Sequence, residues 1–147
     1  MPAANQFATF YLDGLLYGVE VSKVQEVIRY QEMTRVPLAS PVVQGLINLR
    51  GQIVTALDLR RRINLKDRAS DKLPMNVVVR SGDEAVSLLV DEIGDVLEVE
   101  DEAFEAPPET LQGVARELIR GVYKLSDRLL LVLNTEKTVA LNGNGAA

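Results

Sequence analysis

The 147-residue chain predicts a mainly β fold of small barrels or a sandwich, with low helix content. Three observations carry this. Short apolar runs follow one another closely, each ended by turn residues, as in a protein of many short strands. Two blocks of sequence recur in weak form, which predicts two similar β-lobes packed into one domain. The helix-start signals, at Ser22, Asp58 and Asn134, introduce only short segments.

Phe7 to Leu12 is rich in aromatic and β-branched residues and reads as a strand. Asp13-Gly14 is a hairpin turn, and Leu16 to Val21 is the returning strand. Ser22 to Gln25 has capping-box spacing, so a short helical turn is expected to begin at Ser22. Val27 to Met33 reads as a further strand, and Pro37 and Pro41 bracket a loop. In Gly45 to Leu59, Leu46, Ile47 and Leu49 form one strand and Ile53, Val54 and Leu57 the next, with Arg50-Gly51 at the tip. Gly51 accepts the positive φ of a tight turn at little cost. Arg50 stands there with no neighbour in sequence to neutralise it; a solvated turn residue and a binding group are both open readings.

Asp58 is a good N-cap for a short helix over Leu59 to Ile63. Arg61 to Lys72 is polar and basic; Asp67 and Asp71 interrupt its cations, and it reads as a solvated face. Met75 to Arg80 is a buried strand and Ser81-Gly82-Asp83 a turn. Ala85 to Val90 and Val96 to Val99 are strands, and acidic Glu98 to Glu109, ending in Pro107-Pro108, is an exposed connection. Ile119 to Leu125 and Leu129 to Leu133 form a second apolar hairpin. Asn134 caps a last helix, Thr135 to Leu141, and Asn142 to Ala147 is expected to be a frayed tail.

In the repeat, Val19, Val21, Ser22, Val24, Glu26 and Val27 fall on Leu88, Val90, Asp91, Ile93, Asp95 and Val96. Gly45, Leu46, Leu49, Ile53, Val54, Leu57 and Asp58 fall on Gly121, Val122, Leu125, Leu129, Leu130, Leu133 and Asn134. The apolar positions agree, but the tips do not: Arg50-Gly51 falls on Ser126-Asp127. Both tips are good turn chemistry, so folding alone accepts either. A specific Arg in one copy points to a task outside the fold.

The formal net charge of −5 argues against a nucleic-acid surface. The absence of His removes the usual general base, the commonest metal ligand and any phosphohistidine relay. With no Cys either, zinc sites and thiol nucleophiles are excluded, and no cofactor is expected. No apolar run is long enough to cross a bilayer, and the opening residues lack the features of a signal peptide. A cytosolic protein is expected.

Several motifs together resemble the CheW-like domain family. They are Tyr17-Gly18-Val19-Glu20-Val21, Val24-Gln25-Glu26-Val27, Val36-Pro37, Gly45 to Gly51, Leu57-Asp58-Leu59, Leu89-Val90-Asp91, Pro107-Pro108 and the final Leu-rich hairpin. The resemblance runs from about Phe7 to Val139. It implies two SH3-like five-stranded β-barrels: residues 15–80 as the first, 6–14 with 81–135 as the second, and 136–147 as a C-terminal helix and tail. Such domains occur in a free coupling protein, at the end of the histidine kinase CheA, and fused to a receiver domain. This chain, without a His to phosphorylate, resembles the free form.

The resemblance implies a non-catalytic adaptor in bacterial chemotaxis. Its partners would be the cytoplasmic tips of chemoreceptors (methyl-accepting chemotaxis proteins) and the regulatory domain of CheA, with recruitment to membrane arrays through these partners. Receptor binding in a groove between the lobes would involve Val24, Glu26, Gly45, Arg50 and Gly51, with Glu26 and Arg50 as an ion pair. Ser87 joins them because the family often has Gly there; Thr55 stands where the family often has Pro. Two other function classes stand against the residues. An enzyme would have only carboxylates such as Glu26, Asp58 and Asp91, and capping explains the last two. A small-ligand or other binding module on SH3-like barrels is the alternative; for nucleic acid it has the wrong charge and too few aromatics.

Overall fold

The computed structural model describes residues 5–69, 71–107, 109 and 113–140. The strands are β1 (Gln6–Leu12), β2 (Leu15–Glu20), β3 (Val24–Ile28), β4 (Val43–Leu49), β5 (Gln52–Asp58), β6 (Met75–Ser81), β7 (Glu84–Val90), β8 (Glu92–Glu98), β9 (Phe104–Glu105), β10 (Ile119–Lys124) and β11 (Leu129–Leu133). Three short helices, α1 (Leu59–Arg62), α2 (Gly113–Leu118) and α3 (Thr135–Val139), complete it with 3₁₀ turns at Val21–Lys23 and Asp101–Ala103. The fold is mainly β, as the turn-punctuated apolar runs require.

Several boundaries differ from expectation. The helical turn at Ser22 exists, but it is 3₁₀, begins at Val21, and has no side-chain cap. The next strand is Val24–Ile28 rather than Val27 to Met33, because pairing with β6 runs from Val24 opposite Val79 to Ile28 opposite Asn76. β8 extends back to Glu92 through its pairing with β1. The acidic connection holds the second 3₁₀ turn and β9, and its Val99 is buried. Helix α2 had no expectation; Val114 and Leu118, four residues apart, are the apolar stripe that packs it on the core. Leu141 and the expected tail lie outside the described residues.

The strands form two sheets. One has the order β3-β6-β7-β5-β4, the other β8-β1-β2-β11-β10-β9. Under the sequence repeat each strand of one maps onto the strand at the same place in the other: β3 on β8, β6 on β1, β7 on β2, β5 on β11 and β4 on β10. The parallel pairs match, β5 with β7 and β11 with β2. So do the irregularities. Register slips lie between Val24 and Glu26 and, in the other copy, between Ile93 and Val96. They recur between Val43 and Gly45 and between Ile119 and Gly121.

This topology redraws the lobes. β2 belongs to the second sheet and β7 to the first, so neither the 15–80 boundary nor the 81–135 boundary separates the sheets. Each sheet joins the first hairpin of one repeat to the last hairpin of the other and takes its crossing strand from the copy that supplies the last hairpin. The chain passes between sheets at two places, Val21–Lys23 and Asp91.

Three clusters of buried apolar residues follow. Ile47, Leu49, Val54, Ala56, Val78, Ala85 and Leu89 fill the first lobe. Phe7, Leu16, Val99, Tyr123, Leu130 and Val132 fill the second. Between them lies a shared core that includes Phe10, Tyr17, Val19, Leu57, Val77, Leu88 and Leu133. β7 serves two of these: Ala85 and Leu89 face the first lobe, and Val86, Leu88 and Val90 face the shared core. A strand buried on both faces reads as a continuous apolar run.

Candidate functional site

The site begins at the tip between β4 and β5. Arg50 and Gly51 both have positive φ, 50° and 90°, as a two-residue hairpin turn matching strand twist requires. The left-handed region is costly for Arg, and Asn48 helps hold the turn: its Oδ1 accepts a hydrogen bond from the Gly51 amide at 2.8 Å. Sequence reasoning missed Asn48, although an Asn before a turn is a known side-chain acceptor.

From this tip Arg50 Nη2 donates to Glu26 Oε2. The two residues lie at opposite edges of the first-lobe sheet, on β3 and beside β4. The sheet therefore curls until its edges meet, and the ion pair spans the seam. The bulge between Val24 and Glu26 sits next to this contact, where an extra residue re-aims a side chain. Arg50 is 71% exposed and Glu26 22%, so the guanidinium retains donors facing solvent.

The seam is closed by backbone as well. Thr34 exchanges both amide bonds with Leu46, at 2.9 and 2.8 Å. A Cβ on Gly45 would lie 2.8 Å from the Thr34 carbonyl oxygen and 2.9 Å from Met33 Cβ. Gly45 is buried and serves this close approach rather than a surface contact. Its repeat partner Gly121 makes room in the same way for the Phe104 ring.

Ser87 is also interior, with no exposure. Its hydroxyl donates to Asn76 Oδ1 at 2.6 Å, and Asn76 Nδ2 donates to the Arg29 carbonyl at 3.0 Å. This relay ties the end of β3 to the barrel wall, so Ser87 does not meet a partner directly. Val24 is half-buried against the shared core. Of the six expected residues, Glu26, Arg50 and Gly51 come together at the surface, Val24 lies beneath, and Gly45 and Ser87 are internal supports.

The second lobe lacks the same seam. Asp95 stands where Glu26 does and Ser126 where Arg50 does. Among the described residues no ion pair spans them, and a cavity of about 380 Å³ lies there, lined in part by Tyr11, Leu97, Asp95 and Asp127. Exposed apolar residues nevertheless repeat. Val27 and Val96 are exposed at equivalent positions, and so are Ile53 and Leu129. Only the structure reveals these, since an apolar residue in a strand reads as core.

Most of the basic stretch is exposed, as expected of a solvated face, but Arg68 turns inward and joins Arg60 of α1 at Asp91. Arg60 donates from Nε and Nη2 to Asp91 at 2.9 and 2.6 Å, and Arg68 Nε donates at 3.0 Å. Asp91 also accepts from the Asp13 amide at 2.9 Å. Asp58 caps α1 by accepting from the Arg60 amide at 3.1 Å, as expected. Asp91 does not cap; it fastens the β1–β2 turn of one lobe to α1 of the other. The sequence places these cations far from Asp91, and only the fold brings them together.

Burial alone would push the Asp91 carboxyl up. The hydrogen bonds from Arg60, the Asp13 amide and Arg68 outweigh it and hold the group at about 2, below its ordinary 3.8. A carboxyl depressed in the folded state stabilises fully above its unfolded value, and that contribution is lost as pH falls towards 2. Thermal melts should therefore show an acid-dependent loss of roughly 1–2 kcal/mol between pH 5 and 2 from this group, allowing for solvent screening. The stability difference between wild type and Asp91→Asn should shrink as pH falls across that range.

No helix among the described residues is long and apolar enough to cross a membrane. A family model described as CheW-like domain matches residues 6–142. The chain is 32% identical over 130 residues to a chemotaxis protein CheW from Bacillus subtilis, covering 88% of this chain and 83% of that protein. It is 31% identical over 136 residues to a protein of the same name from Klebsiella aerogenes, covering 92% and 82%. The crystal structure of the scaffolding protein TtCheW from Thermoanaerobacter tengcongensis superposes with a TM-score of 0.84 at 26% identity, covering 97% of this chain and 96% of that one.

Proposed function

The chain belongs to the CheW-like domain family and is a non-catalytic chemotaxis coupling adaptor, and from that premise we propose that it meets receptor tips through the Glu26–Arg50 seam. The observation that carries this is Arg50 itself. It is a costly left-handed residue at an exposed tip, and the second copy of the hairpin does without it. Strain of this kind persists where the surroundings impose it and clusters at sites of function.

Glu26, Arg50 and Gly51 form the receptor-facing surface in this reading, Val24 supports it from beneath, and Gly45 and Ser87 hold its frame. The second partner is the regulatory domain of the kinase CheA, which carries a CheW-like domain of its own. The exposed apolar pairs repeated on both lobes support docking to a partner of similar shape. The family reading puts the protein in the cytoplasm, brought to receptor arrays by these partners.

Co-sedimentation tests the proposal. The protein should pellet with receptor-containing membranes and not with receptor-free ones. Adding CheA should give a three-part pellet, and binding to the isolated regulatory domain should persist in chelator and without nucleotide. A protein that stays in the supernatant with receptor membranes, with and without CheA, would refute it.

A further inference from the structure

We propose that Glu136 is a positioning residue for β3: through Lys23 it sets the strand that presents Glu26 to the receptor. The functional half of this rests on the receptor reading above; the structural half does not.

The two crossings between sheets are fastened by related means. At Asp91 the partner is Arg60, the second residue of α1. At the other crossing Lys23 pairs with Glu136, the second residue of α3. Arg60 and Glu136 hold the same place in the repeat, and the charges are reversed: acid on the crossing and base on the helix in one, base on the crossing and acid on the helix in the other.

The two fastenings differ in strength. Asp91 gathers four donors, and its side chain and that of Arg60 are 19% and 13% exposed. Lys23 and Glu136 share one contact and are 31% and 54% exposed. Beside the packing of Val21 and Val24 on the core and the neighbouring Glu20–Arg120 pair, the crossing that leads into the receptor-facing strand is thus tied to α3 by a single solvated pair.

Glu136 is nevertheless presented from a fixed post. Asn134 Oδ1 accepts from the Lys137 amide at 2.9 Å, and the Thr138 hydroxyl donates to the Asn134 carbonyl at 2.8 Å. At the far end of α3, Arg62 donates to the carbonyls of Lys137, Thr138 and Ala140 at 2.8, 2.8 and 3.2 Å. Lys23 ends its 3₁₀ turn, Val24 follows, and then comes the bulge that aims Glu26 at Arg50. A shift of Lys23 passes directly into that bulge.

The test uses the full chain as Glu136→Lys, Lys23→Glu, the double exchange, and Glu136→Gln as a milder variant. Backbone amide spectra and receptor co-sedimentation are the readouts, with melting as control. Glu136→Lys should move the amides of residues 24–26 and weaken receptor binding roughly fivefold. Its Tm should fall by no more than about 4 °C. The double exchange should return both towards wild type, and Glu136→Gln should move them the same way by less. Amide shifts confined to α3, or a double exchange that restores neither readout, would overturn the inference. A collapse of Tm in both Glu136 variants would also overturn it, since the residue would then be structural. Shifts at 24–26 with unchanged receptor binding would uphold the positioning and tell instead against the receptor reading of β3.

Discussion

Arg50→Asp should abolish co-sedimentation with receptor membranes while shifting Tm by no more than about 2 °C. Little in the fold resists the change. The side chain is mostly exposed, and an exposed ion pair is worth roughly 0–1 kcal/mol. Asp tolerates the left-handed conformation at φ 50° better than Arg does, which offsets part of that loss. The effect on binding is of another size. Arg presents five donors in a rigid fork suited to a carboxylate, and reversing such a charge at an interface costs roughly 2–5 kcal/mol, a loss of 30-fold or more. Asp127→Arg, at the equivalent tip of the second lobe, should change neither binding nor melting to the same degree. Glu26→Arg combined with Arg50→Glu should recover some coupling, but poorly, because Glu cannot reproduce the fork. If Arg50→Asp unfolds the protein, the residue is a structural one. If it binds receptors normally, the seam is not the contact.

The sequence revealed the strands and the pairing of Arg50 with Glu26 for different reasons. Strands announce themselves locally: Asp13-Gly14 and Arg50-Gly51 end apolar runs where two-residue turns belong. The ion pair followed from family resemblance, since nothing local joins residues so far apart in the chain. The repeat was legible, but its exchange was not. Two copies of one pattern look the same whether each closes on itself or trades hairpins with the other. The lobe boundaries at residues 15, 80 and 81 failed for that reason: they divided the chain by order, while β2 and β7 chose partners by parallel pairing. Gly45 and Ser87, expected among the receptor-binding residues, lie inside the fold for a related reason. A small residue in a motif marks a close approach, but the sequence does not say whether backbone or a partner makes it.

The charges at the crossings favour exchanged over self-closed repeats, and Asp91 contributes most. If each repeat closed on itself, α1 would face Lys23 and α3 would face Asp91. Arg60 would then oppose a lysine, and Glu136 would oppose an aspartate. In the observed fold both contacts are attractive. Asp91→Ala should accordingly lower stability by about 2–4 kcal/mol, read as a shift of the urea midpoint with unchanged m-value. The reason lies in what is left behind. Arg60 and Arg68, 13% and 10% exposed, would lose their shared carboxylate. Arg68 Nη2 already lacks a hydrogen-bond partner among the described residues; Asp58, 3.9 Å from it, and Asp13, 4.0 Å from Arg60 Nη2, lie beyond hydrogen-bond distance and would compensate only in part. Lys23→Ala, at the solvated crossing, should cost no more than about 1 kcal/mol. Equal losses for the two would mean that burial does not distinguish the crossings. A stable Asp91→Ala protein with wild-type melting would mean that the shared apolar core alone fixes the exchange, and that the opposed charges follow from the topology rather than select it.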